Sequence, residues 1–302
     1  ARDADCVDCE PSPKILIVAG AQGSGKTFLL ENKLLPSERY KHYVRLYLPS
    51  FRELHPQYSQ MKEKGVLHAY EHTERFVWEL GAKVSGYALA NRYNIIMETA
   101  LDSPKFAEFP PVAVKAGYQF EVHMIACQKE FSHWATLDRI VKSIEQNELE
   151  RFLPLSKIEA SQVNARAILD SFENACTQVQ GSEITLYHRG FETDLESRVL
   201  CHSQCDAYSE LTPRTNYGGR PFSTLAHLNP SFEIRRTAQQ NAPCSFLQYA
   251  QVVHSGMVET QVREDMVKFC CKTLGRAQQL MPKVPNDVFR ELSLYVLKYI
   301  FP

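Results

Sequence analysis

Residues 20–27 read Gly-Ala-Gln-Gly-Ser-Gly-Lys-Thr and satisfy the pattern G-x-x-x-x-G-K-[ST]. In such a loop Gly20, Gly23 and Gly25 let successive backbone N–H groups converge on phosphate oxygens without Cβ clashes. Gln22 and Ser24 supply the intervening backbone. Lys26 can reach the β- and γ-phosphates as a point charge, and the Thr27 hydroxyl can ligate Mg²⁺. The spacing therefore predicts binding of a nucleoside triphosphate, ATP or GTP, with Mg²⁺. A second kind of chemistry, metal binding by sulfur, is weakly signalled. Cys6-x-x-Cys9 and the group Cys201, His202 and Cys205 lack a second Cys/His pair at matching spacing. The nine cysteines read as reduced thiols in a large chain rather than a disulfide framework.

A phosphate loop works only when a strand delivers it and a helix N-terminus follows it. Lys14 to Ala19 is a continuous apolar run, as a strand buried on both faces requires. Thr27 to Leu35 reads as the helix, closed by Pro36. Further along, Tyr43–Leu48, Asn94–Met97, Tyr118–Ala126 and, as the last strand, Glu183–Tyr187 have strand character. Between them, Tyr58–Tyr93 is helical with breaks around Gly65 and Gly81, a short helix occupies Pro110–Lys115, and Lys129–Gln146 and Ile158–Val179 are helical. Such alternation predicts an α/β fold, a P-loop kinase-like parallel sheet with helices on both faces, over residues 12–195. From 196 to 302 the chain predicts a polar linker and a mainly helical C-terminal extension packed on that core. Residues 201–245 are rich in turn formers, and helical patterning returns at Phe246.

The chain has 302 residues, and Lys plus Arg (34) nearly balance Asp plus Glu (35). A net charge of −1 offers no general field for nucleic acid or an anionic membrane. It also argues against a polynucleotide kinase, which needs clustered cations along a phosphate backbone. No run approaches the roughly 20 apolar residues of a membrane span, and the N-terminal residues carry no apolar signal core. A cytoplasmic protein is expected.

Among P-loop proteins, GTPases carry an Asn-Lys-x-Asp base-recognition sequence, and motor or helicase ATPases an apolar run ending in Asp-Glu. Neither is present, and a small kinase is the simplest candidate. Kinases of this kind neutralise the migrating phosphoryl group with cations, often from a helical lid. Arg139 and Arg151, between the strands at 118–126 and 183–187, suit that role.

Several segments, in order, resemble the zeta-toxin family of P-loop kinases. Phe51-Arg52-Glu53-Leu54-His55-Pro56-Gln57-Tyr58 is similar to the family's Phe-Arg-x-x-His-Pro-x-Tyr/Phe. Asn94-Ile95-Ile96-Met97-Glu98-Thr99 is similar to Asn-Ile-Ile-x-Glu-Gly-Thr, and Ser132 to Arg139 to Ser-x-x-x-Thr-Leu-x-Arg. Arg151-Phe152-Leu153-Pro154 resembles Arg-x-Thr-Pro, and Leu186-Tyr187-His188-Arg189 the last core strand. The resemblance spans about residues 12–195. It implies transfer of phosphate from ATP or GTP to a hydroxyl of a small nucleotide-linked metabolite, a UDP-amino sugar in the toxins or NAD in a plant-pathogen effector branch. It further implies a toxin or virulence effector, acting in the bacterial cytosol or a host cell, with a protein antitoxin or chaperone-like inhibitor. By the same resemblance Lys26, Arg139 and Arg151 act on phosphates, and Glu98 and Thr99 hold the acceptor.

Two departures fall on the acceptor side. The family's proton-accepting aspartate, two residues before the Phe, is Pro49 here, and the Glu-Gly-Thr-Leu-Arg segment has become Glu98-Thr99-Ala100-Leu101-Asp102. Glu53, His55 or Asp102 could substitute as base. Alternatively positioning and charge neutralisation suffice, or the chain is a catalytically silent nucleotide-binding interaction protein.

Overall fold

A computed structural model describes residues 12–146, 152–190, 198–222, 245–255 and 259–300. The apolar run after Pro13 forms β1 (Lys14–Gly20), buried from Ile15 to its end. Its neighbours are β3 (Ile95–Thr99) and β4 (Gln119–Cys127), both parallel to it. Outside these lie β2 (Val44–Leu46) against β3 and β5 (Glu183–Arg189) against β4, again parallel. The chain thus leaves β1 in one direction to β2 and later returns to its other side at β4. This reversal opens a crevice at the carboxyl ends of the strands, where α/β sheets bind ligands.

The sheet is mixed rather than wholly parallel. Glu183–Tyr187 is not the last strand: β6 (Arg198–Gln204) and β7 (Thr212–Pro213) add antiparallel beyond β5, giving a seven-stranded order β2-β3-β1-β4-β5-β6-β7. Turn-forming composition hid β6, yet it buries Leu200 and His202 on one face by strand alternation. A hairpin follows, β8 (Asn216–Tyr217) with β9 (Arg220–Pro221), joined through Gly218 and Gly219, both at positive φ (57° and 74°).

Helices cover both faces. α5 (Phe109–Lys115), α7 (Leu155–Gln178) and α8 (Ser245–Val253) lie on one side, where Ile168 and Phe172 meet Ile17, Phe120 and Val122. On the other, Leu16, Val18 and Ile125 pack against Leu29, Leu30 and Leu34. The last three belong to α1 (Lys26–Leu29) and the π turn that prolongs it to Leu34. A separate apolar cluster joins α6 (Lys129–Glu145) to α9 (Thr260–Gln279) and α10 (Asn286–Ile300), through Leu137, Ile140, Met266, Cys270, Val288 and Leu292. Polar contacts reinforce it: His133 Nδ1 meets the Tyr295 hydroxyl at 2.6 Å, and Arg276 pairs with Asp138 at 3.1 Å. α6 is therefore held on its outer side by the C-terminal helix pair.

Two sequence expectations change around β2. The strand stops at Leu46, and Leu48 opens a short helix, α2 (Leu48–Arg52), whose second residue is Pro49. Proline suits the first turn of a helix, where its missing N–H has no intrahelical partner in any case. The long helical stretch begins with α3 (Tyr58–Glu63) and breaks at Gly65 (φ 113°), but α4 (Val66–Ala90) runs straight through Gly81. That glycine serves close packing: a Cβ there would sit 2.8 Å from Leu48 Cδ2. Among the described residues no helix is long and apolar enough to cross a membrane.

Candidate functional site

The phosphate loop lies where β1 meets α1, and its glycines are required by the conformation. Gly23 and Gly25 have φ of 81° and 91°, where L side chains are strained. A Cβ on Gly23 would stand 2.1 Å from the Ser132 carbonyl oxygen at the start of α6, and one on Gly25 2.3 Å from Arg189 Nη1. Gly20 is closed in as well: a Cβ there would lie 3.0 Å from the Ile125 carbonyl oxygen and 2.5 Å from Ser24 Oγ. Ser24 is buried with its Oγ unpartnered among the described residues. An orphaned buried hydroxyl is costly, and in this loop an incoming phosphate is the natural acceptor for it. Gln22 stays partly exposed at the rim.

Lys26 opens α1 and donates from Nζ to the Ala21 carbonyl at 3.0 Å, across the loop it must serve. Burial pulls its pKa down to about 8. Glu98 and Asp102 oppose that shift, and the positive charge of Arg139 adds to it. These four side chains thus share one electrostatic site, assembled from α1, the end of β3 with the turn after it, and the exposed side of α6.

Thr27 donates from Oγ1 to Glu98 Oε2 at 3.0 Å. The other Glu98 oxygen accepts from Arg45 Nη2 on β2 at 2.9 Å, and Arg45 in turn reaches Glu31 at 3.1 Å. With its side chain 9% exposed, Glu98 is thereby fixed in place. Two cis ligands of an octahedral Mg²⁺ at 2.0–2.1 Å stand about 2.9 Å apart, so the Thr27 and Glu98 oxygens fit that ion. The structure thus puts Glu98 beside the phosphate loop, although the family resemblance implies an acceptor contact for it.

The remaining expected residues separate. Thr99 ends β3 opposite Ala19 and is buried; its Oγ1 accepts from the Leu101 N–H at 3.2 Å. That hydrogen bond gives it a local, turn-making role. Leu101 holds a left-handed conformation (φ 60°) although it is not glycine, a state costing roughly 1–2 kcal/mol. Asp102 follows it, exposed. Glu53 is an exposed residue just past α2. His55 Nδ1 accepts from the Gln57 N–H at 3.2 Å, and its ring stands edge-on to Phe76 at 4.9 Å. Arg151 lies outside the described residues, as do Cys6 and Cys9. Cys201 and Cys205 are free thiols, and among the described residues no three His, Cys, Asp or Glu side chains converge as a metal site.

Two basic residues at the site have no role in the motif reading. Arg189 ends β5 and lays its guanidinium against the loop, 3.4 Å from the Gly23 carbonyl and 5.3 Å above the Phe131 ring. Its place at the carboxyl end of a core strand is a signal that the sequence carries. Arg45 is the other. As a charged residue in a short strand otherwise rich in apolar and aromatic residues it invites a partner, and the sequence does not say which.

The sequence profile of the family described as Zeta toxin matches residues 1–196. The comparison with curated proteins gives no match. Among solved structures, a chain from the AvrRxo1-ORF1:AvrRxo1-ORF2 complex with sulphate ions is 13% identical, with a TM-score of 0.55 over 95% of this chain and 81% of that one. A chain from the same complex with ATP is 14% identical, with a TM-score of 0.50 over 95% and 76%. A chain of the PezAT toxin–antitoxin system of Streptococcus pneumoniae is 22% identical over 62% and 71%, at a TM-score of 0.48. At these identities the likenesses to the AvrRxo1 complexes speak to the fold, while the profile spans well over half of the sequence and starts ahead of the phosphate loop. This chain belongs to the zeta toxin family.

Proposed function

We propose that this protein is an ATP- or GTP-dependent phosphotransferase that acts as a toxin or effector. It moves the γ-phosphoryl group to a hydroxyl of a small nucleotide-linked metabolite, NAD or a UDP-amino sugar. The observation that carries this reading is the convergence of Lys26, Thr27, Glu98 and Arg139 at one end of the sheet around a glycine-dependent loop. Thr27 and Glu98 would hold Mg²⁺, which neutralises charge on the β- and γ-phosphates when bound. Backbone N–H groups from Gly20 to Gly25 and the N-terminus of the helix cradle the phosphates. Lys26 gives up its bond to Ala21 for phosphate oxygens, and Arg139 approaches from α6 to stabilise the transferring group. Arg189, on the far rim of the loop, adds a third cation. A neighbour of like fold comes from a complex with ATP, which supports ATP as donor.

The neighbours of like fold also come from two-protein assemblies, which supports a protein partner here, an antitoxin or chaperone-like inhibitor. In this reading residues 12–195 are the catalytic core, working in the cytosol, and of the extension after it β6 and β7 widen the sheet, α8 covers it, and α9 and α10 buttress α6. Incubation with MgATP and a panel of nucleotide-linked metabolites, with Lys26→Ala as control, tests the reading. Lys26-dependent phosphorylation of one acceptor supports it, and no product from any acceptor counts against it.

Pro49 favours a second reading. The family's base position falls in the first turn of α2 and carries no ionisable group. A chain that binds ATP and a partner but never turns over would follow, and Pro49→Asp would then create activity.

A further inference from the structure

Resting on that phosphotransferase reading, we propose that Asp102 is the catalytic base, taking the proton of the acceptor hydroxyl in place of the carboxylate that the family carries where this chain has Pro49. The case is built from the backbone outward. β3 ends at Thr99, in register with Ala19, the residue before the phosphate loop opens. The three residues that follow therefore run along the mouth of the same crevice. Leu101 is fully buried and adopts φ 60°, a conformation that a bulky residue keeps only where its surroundings over-determine it. Here they do. Its N–H donates to Thr99 Oγ1 at 3.2 Å, its carbonyl accepts from Asn164 Nδ2 of α7 at 3.0 Å, and its side chain is sealed in the main core. A Leu anchored inward in a left-handed turn throws the next residue outward, and Asp102 is exposed. Its charge acts on the Lys26 ammonium, as do those of Glu98 and Arg139, which puts it within electrostatic reach of the phosphate loop.

Of the other candidates, Glu98 and His55 are engaged in other contacts, and Glu53 lies just past α2 rather than on the turn after β3. Both Glu98 oxygens are taken, by Thr27 and by Arg45. The Nδ1 of His55 is occupied by Gln57 and its ring by Phe76. Glu53 stands beside Tyr58, on whose hydroxyl its charge acts. The segments in which the sequence departs from the family thus contain both the loss, at Pro49, and a compensating carboxylate, at Asp102, held by a turn of its own.

In the step itself the acceptor O–H bond breaks as its oxygen bonds to the γ-phosphorus. The proton passes to the Asp102 carboxylate, the bond from the γ-phosphorus to the β–γ bridging oxygen breaks, and the nucleoside diphosphate leaves with that electron pair. Asp102 then returns its proton to water.

The test compares wild type, Asp102→Asn and the double variant Pro49→Asp/Asp102→Asn, on the acceptor that the metabolite panel identifies, with ATP affinity measured separately. Asp102→Asn is isosteric and exposed, so the fold should persist. The expected result is a kcat lower by at least about a hundredfold, with the ATP Kd unchanged within about threefold, and recovery in the double variant. A wild type that transfers phosphate while Asp102→Asn retains most of its kcat overturns the assignment and leaves the kinase reading intact. Loss of ATP binding in Asp102→Asn overturns it too, since the residue would then serve the donor. No transfer by the wild type to any acceptor overturns the kinase reading, and Asp102 as base with it.

Discussion

The phosphate loop and the turn after β3 sit on neighbouring strands, and each depends on residues at positive φ, but they reach that conformation differently. In the loop it is adopted by glycines, Gly23 and Gly25, hemmed in by the Ser132 carbonyl and the Arg189 guanidinium. After β3 it is adopted by Leu101, a residue that resists it, held by a hydrogen bond from its N–H to Thr99 Oγ1 and one from Asn164 Nδ2 to its carbonyl. The loop has little room to change: a methyl at Gly23 would collide with the Ser132 backbone carbonyl, and one at Gly25, at φ 91°, would be strained and would displace the Arg189 guanidinium. Beyond the loop, Glu53 just past α2 and Asp102 just past β3 are exposed. The loop is thus held by its conformation and surroundings, whereas the turn after β3 sets an exposed residue, Asp102, beside a buried one, Leu101.

The largest expected effect breaks the donor half outright. Lys26→Ala should lower kcat/KM by on the order of a thousandfold or more, because the ammonium stabilises charge that develops in a desolvated site. A radiolabel-transfer assay measures it. Turnover that survives the substitution would show that the loop only binds nucleotide, and the contrast between the two halves would disappear.

Arg45→Ala tests to which half Glu98 belongs. Removing the guanidinium leaves a buried carboxylate oxygen without its ion-pair partner, a stability cost of about 1–3 kcal/mol, and frees Glu98 to shift from its place beside Thr27, which should lower turnover on the order of tenfold. If Glu98 serves the donor through Thr27, the loss appears in kcat and in the Mg²⁺ requirement. A rise in acceptor KM alone would return Glu98 to the acceptor.

A smaller effect follows from the Lys26 pKa of about 8 in the free protein. A bound triphosphate favours the charged ammonium, so binding takes up a proton once the pH passes that value. Affinity for ATP should hold below pH 8 and fall about tenfold by about pH 9. Titration calorimetry across that range measures it, and Lys26→Arg should flatten the profile. Equal affinity at both ends would mean that Lys26 keeps its proton in the free loop.

Much of this contrast is legible in the sequence, for physical reasons. β1 and β3 announce themselves because strands buried on both faces must be nearly continuous apolar runs, and β4 by alternation and β-forming composition. The loop is legible because phosphate binding and the positive φ of Gly23 and Gly25 restrict each position to one or two residue types. β6 is not, because its buried positions include His202 and Ser203, whose polarity reads as turn until the partner strand is known. Arg45 and Glu98 are 53 residues apart in the chain, and their pairing depends on β2 lying beside β3. Gly81 reads as a break because a glycine within a helix is unfavourable in isolation; the approach of Leu48 explains it only in three dimensions.

The smallest expected effect sharpens the comparison most. Pro49→Asp puts the family's carboxylate back at the second position of α2. Its stability cost should be small, since an acidic residue near a helix N-terminus gains about 0.3–1 kcal/mol from the macrodipole. That offsets the roughly 0.4–1 kcal/mol of chain entropy that proline had removed from the unfolded state. If Asp102 already takes the proton, a second base has little left to accelerate, and kcat should change by less than about threefold. If the chain is silent for want of a base, the same substitution should raise activity from background by about a hundredfold or more. One substitution therefore separates a relocated base from a lost one. The small response is the informative outcome when Asp102→Asn alone lowers kcat, because the two results together place the proton acceptor on the turn at Leu101, whereas a small response with Asp102→Asn active means that no base is needed.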